Sequence, residues 1–306
     1  MSYQNTVSKE ARFTGVGLHT GASVTLSVRP APVDAGLRFV VGRPGAEPVV
    51  IDAHHANIQT TSYATSLGSG DLRLHTVEHL LAALSGLGVD NAELWLDGPE
   101  VPVMDGSARP FVEGLLQAGL VEQPKARRVI RITQPIRVAD GDKWIELLPS
   151  VQPGLQVDYA IDFEHLAIGR QHFHMKVTPE TFEKEIAAAR TFGFAHEVAR
   201  MQSAGLARGA SLDNAVAVGD EGVLNPGGLR FDDEMVRHKV LDLVGDLALL
   251  GRPLWGHLIA NRAGHGMHAR LMEEILLRTD RWESVIDEPL EAVRLTASQR
   301  ALQVCV

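Results

Sequence analysis

The chain has a single cysteine, Cys305, among its 306 residues. One thiol excludes an intrachain disulfide and a cysteine-rich structural zinc site. The chain has 13 histidines. Any bound metal ion would therefore be held by histidine and carboxylate side chains, a ligand set more typical of open catalytic sites than of closed structural ones.

Basic residues and long apolar runs are also scarce. Lys and Arg total 29 against 38 Asp and Glu, which gives a formal net charge of −9. We expect no nucleic-acid partner, because an extended nucleic-acid interface needs a basic surface. The longest apolar stretches, near 80–87 and 243–250, are too short to span a bilayer, and residues 1–15 lack the pattern of a signal peptide. These features predict a cytoplasmic protein without stable membrane insertion.

The order of predicted strands divides the chain into two similar halves. Apolar and polar residues alternate at 24–28, and a strand–proline–glycine–strand order near 23–41 returns near 144–159, which suggests a duplication. We predict domains at 1–123 and 129–306, joined by a charged linker at 124–128. Because each half holds both strands and helices, the fold class is α+β.

Two apolar stripes predict the principal helices. The first runs from about Thr76 to Leu87 and the second from about Asp233 to Leu250, each with glycine near its end. Further helices are predicted at 110–119, 179–190, 195–205 and 267–278.

The second helix carries a polar stripe formed by His238, Asp242 and Asp246. These residues are four apart, so their side chains lie along one face. A histidine and a carboxylate at this spacing can bind one metal ion, with Asp246 placed to support them. A solvated helix face is the alternative interpretation of such a stripe.

The first helix carries Glu78 and His79, which point about 100° apart. His79 could ligate a metal ion while Glu78 reaches a water molecule from the side as a general base. An exposed helix surface could carry the same pair of residues.

Three more histidines stand in suggestive places. His265 lies between two glycines in a predicted loop, where the backbone allows close approach of a ligand and suits a catalytic acid, although an exposed turn has the same pattern. His172 and His174 could share one face of a strand as a metal pair. No third ligand is near them in the sequence, so we interpret them as structural or exposed.

Together these residues resemble a known family, UDP-3-O-acyl-N-acetylglucosamine deacetylase. The matching segments follow the family's order over nearly the whole chain: Thr14–Gly21, Thr76–His79, Met104–Ser107, Ala189–Phe194, Leu229–Phe231, Arg237–Asp242, Gly245–Asp246 and Gly264–His265. The resemblance implies two similar α+β domains packed as a β-α-α-β sandwich, with the active site between them. The polar stripes would then face the site.

The resemblance also implies a zinc-dependent deacetylase, with Fe²⁺ as an alternative metal. Its metal ligands would be His79, His238 and Asp242. Its catalytic residues would be Glu78 as general base, His265 as the acid that protonates the departing amine, Asp246 as the partner that orients His265, and Thr191 as a donor to the oxyanion.

The implied substrate is UDP-3-O-(3-hydroxyacyl)-N-acetylglucosamine, a UDP-linked acylated amino sugar. Hydrolysis of its N-acetyl group gives the free amine and acetate, the committed step of lipid A biosynthesis. Candidate substrate contacts are Lys239, Lys143 and Arg262 for phosphate or sugar oxygens, Phe163 for the uracil, Phe192 and Phe194 for the acyl chain, and Leu18 and His19 at the rim. The family often has Lys where this chain has Arg262, and arginine also binds phosphate.

Two other functions fit the same residues. One is an amidohydrolase of this fold that acts on another N-acyl sugar. The other is a non-catalytic protein that binds a nucleotide sugar, which predicts the loss of at least one catalytic residue, and none is lost here. We expect the protein to be a monomer.

Overall fold

The computed structural model describes residues 2–43 and 45–287, so the end of the second predicted domain, with Cys305, lies outside the described residues. The described chain mixes strands and helices in several sheets, which confirms the predicted α+β class.

Ten strands lie in each half of the described chain. The first half contains β1 (Tyr3–Val7), β2 (Ala11–Val16), β3 (Ser23–Pro30), β4 (Leu37–Arg43), β5 (Ala46–Asp52), β6 (Ile58–Thr60), β7 (Ser66–Ser69), β8 (Leu72–Leu74), β9 (Ala92–Leu96) and β10 (Leu120–Ala126). The second contains β11 (Arg128–Ile132), β12 (Ile136–Asp140), β13 (Lys143–Leu148), β14 (Leu155–Asp162), β15 (Arg170–Lys176), β16 (Phe192–Phe194), β17 (Val216–Gly219), β18 (Gly222–Val223), β19 (Leu254–Asn261) and β20 (Trp282–Ile286).

The α-helices of the described chain agree in number with the prediction. They are α1 (Glu78–Gly86), α2 (Arg109–Ala118), α3 (Pro179–Thr181), α4 (Ala195–Ser203), α5 (Glu234–Leu247) and α6 (His265–Leu277). Short 3₁₀ turns lie at His55–Asn57, Ala248–Leu250 and Thr279–Arg281. The helix predicted at 179–190 is shorter than expected, because α3 gives way to a π-helical segment at Phe182–Ile186. None of the described helices combines the length and apolar character that crossing a membrane requires.

Both halves repeat the same five-stranded arrangement. In the first half the strand order is β2-β3-β9-β4-β5, with two antiparallel hairpins and with β9 between them, parallel to β4. In the second half β12, β13, β19, β14 and β15 pair in the same order and with the same directions. A helix precedes each central strand, α1 before β9 and α5 before β19. This repeated topology supports the duplication that the sequence pattern suggests.

Most of the segment predicted as a linker, 124–128, is strand, and Arg127 alone lies between two strands. Residues Leu120–Ala126 form β10 and pair with β1, and β11 begins at Arg128. Pro124 lies where the register between the two strands shifts. Proline cannot donate a hydrogen bond to a neighbouring strand, and it is therefore tolerated at an irregularity of this kind in an edge strand.

The helices lie between the sheets. Helix α1 of the first half packs along α5 of the second, while α5 also contacts β14 and β15, and α6 contacts β12 and β13. The resulting layers are sheet, helices, helices and sheet, as the family resemblance implies.

The close approach of α1 and α5 requires glycine at position 245. A Cβ atom there would lie 2.0 Å from the carbonyl oxygen of Glu78 and 3.1 Å from the backbone nitrogen of Ala82. Both neighbours are main-chain atoms, so a side chain could be accommodated only if a helix moved.

We expect Gly245→Ala to destabilise the fold by about 1–3 kcal/mol or more, the usual cost of overpacking a well-packed core. Thermal unfolding of the variant measures the loss. Gly227→Ala is the matched control, because Gly227 is exposed and has nothing within 4 Å of its added Cβ. Equal stability of the two variants would contradict the close helix contact.

Candidate metal centre and active site

Three buried side chains from the two central helices converge on one point. His79 comes from α1, and His238 and Asp242 come from successive turns of α5. The Oδ1 atom of Asp242 lies 3.3 Å from Nε2 of His238 and 3.7 Å from Nε2 of His79. One ligand atom from each residue lies within 4.8 Å of the others. The stripe on α5 is therefore buried against α1, and the solvated-face alternative is wrong.

The hydrogen bonding of this cluster leaves a place for a cation. Oδ1 of Asp242 is buried without a hydrogen-bond partner in the described part of the chain, although a carboxylate oxygen normally accepts hydrogen bonds. Nδ1 of His238 lies 3.1 Å from the carbonyl oxygen of Ala189. If Nδ1 donates to that oxygen, the lone pair of Nε2 points into the cluster. Two imidazoles and a carboxylate fit a divalent transition metal.

The protonation states also suit metal binding. Burial, together with neighbouring His238, lowers the pKa of His79 to about 3, and burial lowers the pKa of His238. Burial would raise the pKa of Asp242, but His238 and Lys239 hold it well below its usual range. Nζ of Lys239 donates to Oδ2 of Asp242 at 2.8 Å. The three side chains are therefore two neutral imidazoles and one carboxylate anion, which is the state that metal binding requires.

Glu78 begins α1 and is buried. Its Oε2 accepts a hydrogen bond from the backbone N–H of Thr65 at 3.1 Å. Burial raises the pKa of Glu78 to about 8, with a further contribution from Asp246 and Asp242 and an opposing one from His265. A carboxyl group with such a pKa can accept or release a proton near neutral pH.

His265 is the first residue of α6, so the prediction that it lies in a loop is wrong. Gly264 is extended, with φ −163° and ψ −176°, and the helix begins directly after it. Nε2 of His265 lies 3.9 Å from Oε1 of Glu78, and Nδ1 contacts Oδ2 of Asp246 at 2.8 Å. Burial lowers the pKa of His265, but Asp246 and Asp242 outweigh it and raise the pKa to about 9. This histidine is a cation at neutral pH.

Glu78, His265 and the three candidate metal ligands share one cavity of about 240 Å³ with most of the other predicted site residues. Its lining includes Leu18, Glu78, His79, Phe163, Thr191, Phe192, Phe194, His238, Lys239, Asp242 and His265. A second cavity, of about 220 Å³, lies near the other ends of α1 and α5 and is lined by none of the predicted site residues.

Four predicted site residues do not line the cavity. Asp246 lies behind His265, and His19 is buried, with its backbone N–H donated to Glu100. Lys143 is exposed at the start of β13. Arg262 is also outside the cavity and forms an ion pair with Asp142 at 2.6 Å. Because Asp142 directly precedes Lys143, Lys143 and Arg262 lie near each other at one end of the five-stranded arrangement of the second half. In the sequence, Arg262 lies three residues before His265.

Three phenylalanines form one wall of the cavity. The ring of Phe163 lies 5.8 Å from that of Phe192 and 6.0 Å from that of Phe194. Phe192 also contacts His238 edge-on, with ring centroids 6.4 Å apart. This wall joins the end of β14 to β16, so an apolar surface begins directly beside the cluster of His79, His238 and Asp242.

The loop that carries Thr191 is tied to both halves of the molecule. The backbone N–H of Thr191 donates to the carbonyl oxygen of Gly106, in the first half, at 2.8 Å. The carbonyl oxygen of Thr191 accepts from the backbone N–H of Val216 at 2.7 Å. The preceding Arg190 forms a buried ion pair with Glu234 at the start of α5. Thr191 is therefore held at a set distance from the helix that carries His238.

Sequence reasoning missed Glu100. This carboxylate is buried and accepts hydrogen bonds from His19 N, Thr20 N and Oγ1, and Thr76 Oγ1 at 2.7–2.9 Å. Thr76, which precedes α1, has a positive φ of 58°. Glu100 thus holds the loop around His19 against the start of the helix. Its surroundings in the sequence, a proline-rich loop, give no sign of this role.

His268 was also missed, although its spacing could have revealed it. It lies three residues after His265 on α6, so both side chains share a face. By contrast, His172 and His174 surround Asp158 on the outer face of the second sheet and are more than half exposed, as predicted.

Comparison with known proteins agrees with the resemblance found in the sequence. Residues 4–277 match the family UDP-3-O-acyl N-acetylglycosamine deacetylase. The UDP-3-O-acyl-N-acetylglucosamine deacetylase of Syntrophotalea carbinolica is 49% identical over 285 residues, which cover 93% of this chain and 91% of the relative. Proteins of the same name from Geobacter sp. strain M21 and Shewanella halifaxensis are 47% identical over 281 residues and 46% identical over 289 residues. These alignments cover 92% and 93% of this chain, and 91% and 93% of the relatives. The chain belongs to the UDP-3-O-acyl-N-acetylglucosamine deacetylase family.

Proposed function

We propose that this protein is a zinc-dependent amidohydrolase that removes the N-acetyl group of UDP-3-O-(3-hydroxyacyl)-N-acetylglucosamine. The products are the free amine and acetate, and the reaction is the committed step of lipid A biosynthesis. The observation that carries the proposal is the buried cluster of His79, His238 and Asp242, with a proton acceptor and a proton donor beside it. Family membership supplies the substrate class.

His79, His238 and Asp242 would hold the metal ion. We propose zinc, with Fe²⁺ as the alternative, because both accept imidazole and carboxylate ligands. When bound, the ion supplies Lewis acidity that polarises a carbonyl oxygen and lowers the pKa of water.

Glu78 and His265 would divide the proton transfers between them. Glu78 accepts a proton from the water that attacks the acetamide carbonyl, which its raised pKa favours. His265, held as a cation by Asp246, donates a proton to the departing amine. An amine is too poor a leaving group to depart as an anion, so an acid is required. With 3.9 Å between the two side chains, Glu78 can act on the attacking water while His265 acts on the nitrogen of the same acetamide group.

Thr191 and the cavity walls would orient the substrate. The Thr191 hydroxyl would donate to the oxyanion, an interaction worth roughly 3 kcal/mol at comparable sites. Lys239 would contact phosphate or sugar oxygens, with Lys143 and Arg262 available outside the cavity. Phe163 would stack on uracil, Phe192 and Phe194 would line the passage for the acyl chain, and Leu18 and His19 would lie at the rim.

We further propose that the protein works in the cytoplasm as a monomer, without stable membrane insertion and without a nucleic-acid partner. The acidic net charge supports the last point, because an extended nucleic-acid surface is basic. A small diphosphate needs only a few local cations.

We expect Glu78→Gln to retain zinc and to lose about 10²- to 10⁴-fold in deacetylation rate, the usual contribution of a general base. Zinc content by elemental analysis and acetate release measure the two effects. Full activity of a folded, zinc-loaded Glu78→Gln protein would remove Glu78 from the role of base.

We expect His79→Ala to weaken zinc binding by more than about 100-fold, beyond the loss seen when only an outer partner of a ligand is removed. Competition with a chelator measures the affinity. His172→Ala is the matched control, since His172 lies on the outer sheet face. Unchanged zinc affinity in His79→Ala would exclude His79 as a ligand.

We expect the deacetylation rate to fall as pH rises through a value near 9, because His265 must be protonated to act as an acid and its pKa is raised to about 9. Asp246→Asn removes an anion that raises this pKa, so the alkaline limb should move to lower pH. A pH–rate profile of both proteins tests this. An alkaline limb at the same pH in Asp246→Asn would contradict the assignment.

A further inference from the structure

A second buried histidine stands behind the catalytic acid. His268 lies on α6, and its side chain is fully enclosed. Its Nδ1 is 2.7 Å from Oδ2 of Asp246, the same oxygen that contacts His265. Its Nε2 is 3.1 Å from the hydroxyl of Tyr159, which is also fully buried on β14.

The direction of each hydrogen bond in this chain follows from the chemistry of the groups. Asp246 stays ionised, since nearby His265 and His268 outweigh its burial and lower its pKa to about 2, so it can only accept. Nδ1 of His268 must therefore carry the proton that it donates. Nε2 of the neutral ring is then an acceptor, and the Tyr159 hydroxyl donates to it. Burial holds the pKa of Tyr159 well above its usual range, which keeps the hydroxyl protonated.

Asp246 depends on such donors for its orientation. The terminal torsion of an aspartate is broad, so hydrogen bonds and not the rotamer decide where its oxygens point. Oδ1 accepts from the Thr65 hydroxyl at 2.6 Å, and Oδ2 is shared by His265 and His268. The rings of these two histidines are nearly perpendicular, with an interplanar angle of 76°. Oδ2 is thus within hydrogen-bond distance of two imidazole nitrogens, whose rings lie in different planes.

We propose that His268, held by Tyr159, is a positioning residue that fixes the Asp246 carboxylate against His265. The expected effect of His268 on the reaction rate rests on the proposed function, whereas its contact with Asp246 does not. An acid that must meet a departing amine needs its orienting carboxylate held to within a fraction of an ångström. If His268 only filled space in the core between α5, α6 and β14, the volume of its ring would matter and its Nδ1–H would not.

The pair His268→Asn and His268→Leu separates positioning from packing. The amide N–H of asparagine can replace the Nδ1–H of histidine, whereas leucine has similar bulk and no donor. In the zinc-loaded full chain we expect His268→Leu to lower kcat by about 10- to 100-fold, the range for losing a partner that orients a functional group. KM should stay within about twofold, because the interaction acts in the transition state. His268→Asn should restore most of kcat.

Tyr159→Phe tests the outer end of the chain. It removes only the hydroxyl, so we expect a smaller decrease in kcat than in His268→Leu. Zinc content and circular dichroism should match those of the unmodified protein in all three variants. Equal kcat in His268→Leu and the unmodified protein, or equal losses in His268→Asn and His268→Leu, would overturn the proposal.

A measurement without turnover keeps the inference separate from the proposed function. In ¹⁵N-histidine-labelled zinc-loaded protein, His268 should show a protonated Nδ1 and an unprotonated Nε2, and Tyr159→Phe should shift the Nε2 resonance. A protonated Nε2 would overturn the inference. If the unmodified protein released no acetate, the proposed function would fail, and this spectrum alone would decide whether His268 donates to Asp246.

Discussion

The packing of α1 against α5 is the contact on which the site depends. Of the proposed metal ligands and general base, His79 and Glu78 lie on α1, whereas His238 and Asp242 lie on α5, so neither half of the chain holds the whole proposed site. The helices approach closely enough at Gly245 that any side chain there would meet the carbonyl of Glu78. The close contact at Gly245 therefore also fixes the position of Glu78, the proposed base.

The site also depends on keeping charges buried. Asp242 and Asp246 are both enclosed and both remain anions, because Lys239, His265 and His268 lie against them. A buried charge without such neighbours would become neutral. Glu78 has weaker compensation, and its pKa is raised as a result. The arrangement thus leaves one carboxyl group able to exchange a proton while the others stay ionised.

Local patterns in the sequence predicted the parts of the molecule that depend on local interactions. The spacing of His238, Asp242 and Asp246 was sufficient to place them on one helix face. That this face is buried against α1 depends on contacts between distant residues, and only the family resemblance indicated it. The glycines around His265 are typical of a loop, yet α6 begins at His265, directly after the extended Gly264. The role of Glu100 depends on four hydrogen bonds from three residues, two of them far from it in sequence, which no local pattern records.

A crystal structure of the zinc-loaded protein, with anomalous data on both sides of the zinc absorption edge, would locate the ion directly. We expect one strong zinc peak between Nε2 of His79, Nε2 of His238 and the Asp242 carboxylate, at about 2.0–2.2 Å from each ligand atom. A zinc-loaded crystal with no peak at this point, or with its peak at other residues, would exclude this cluster as the metal centre.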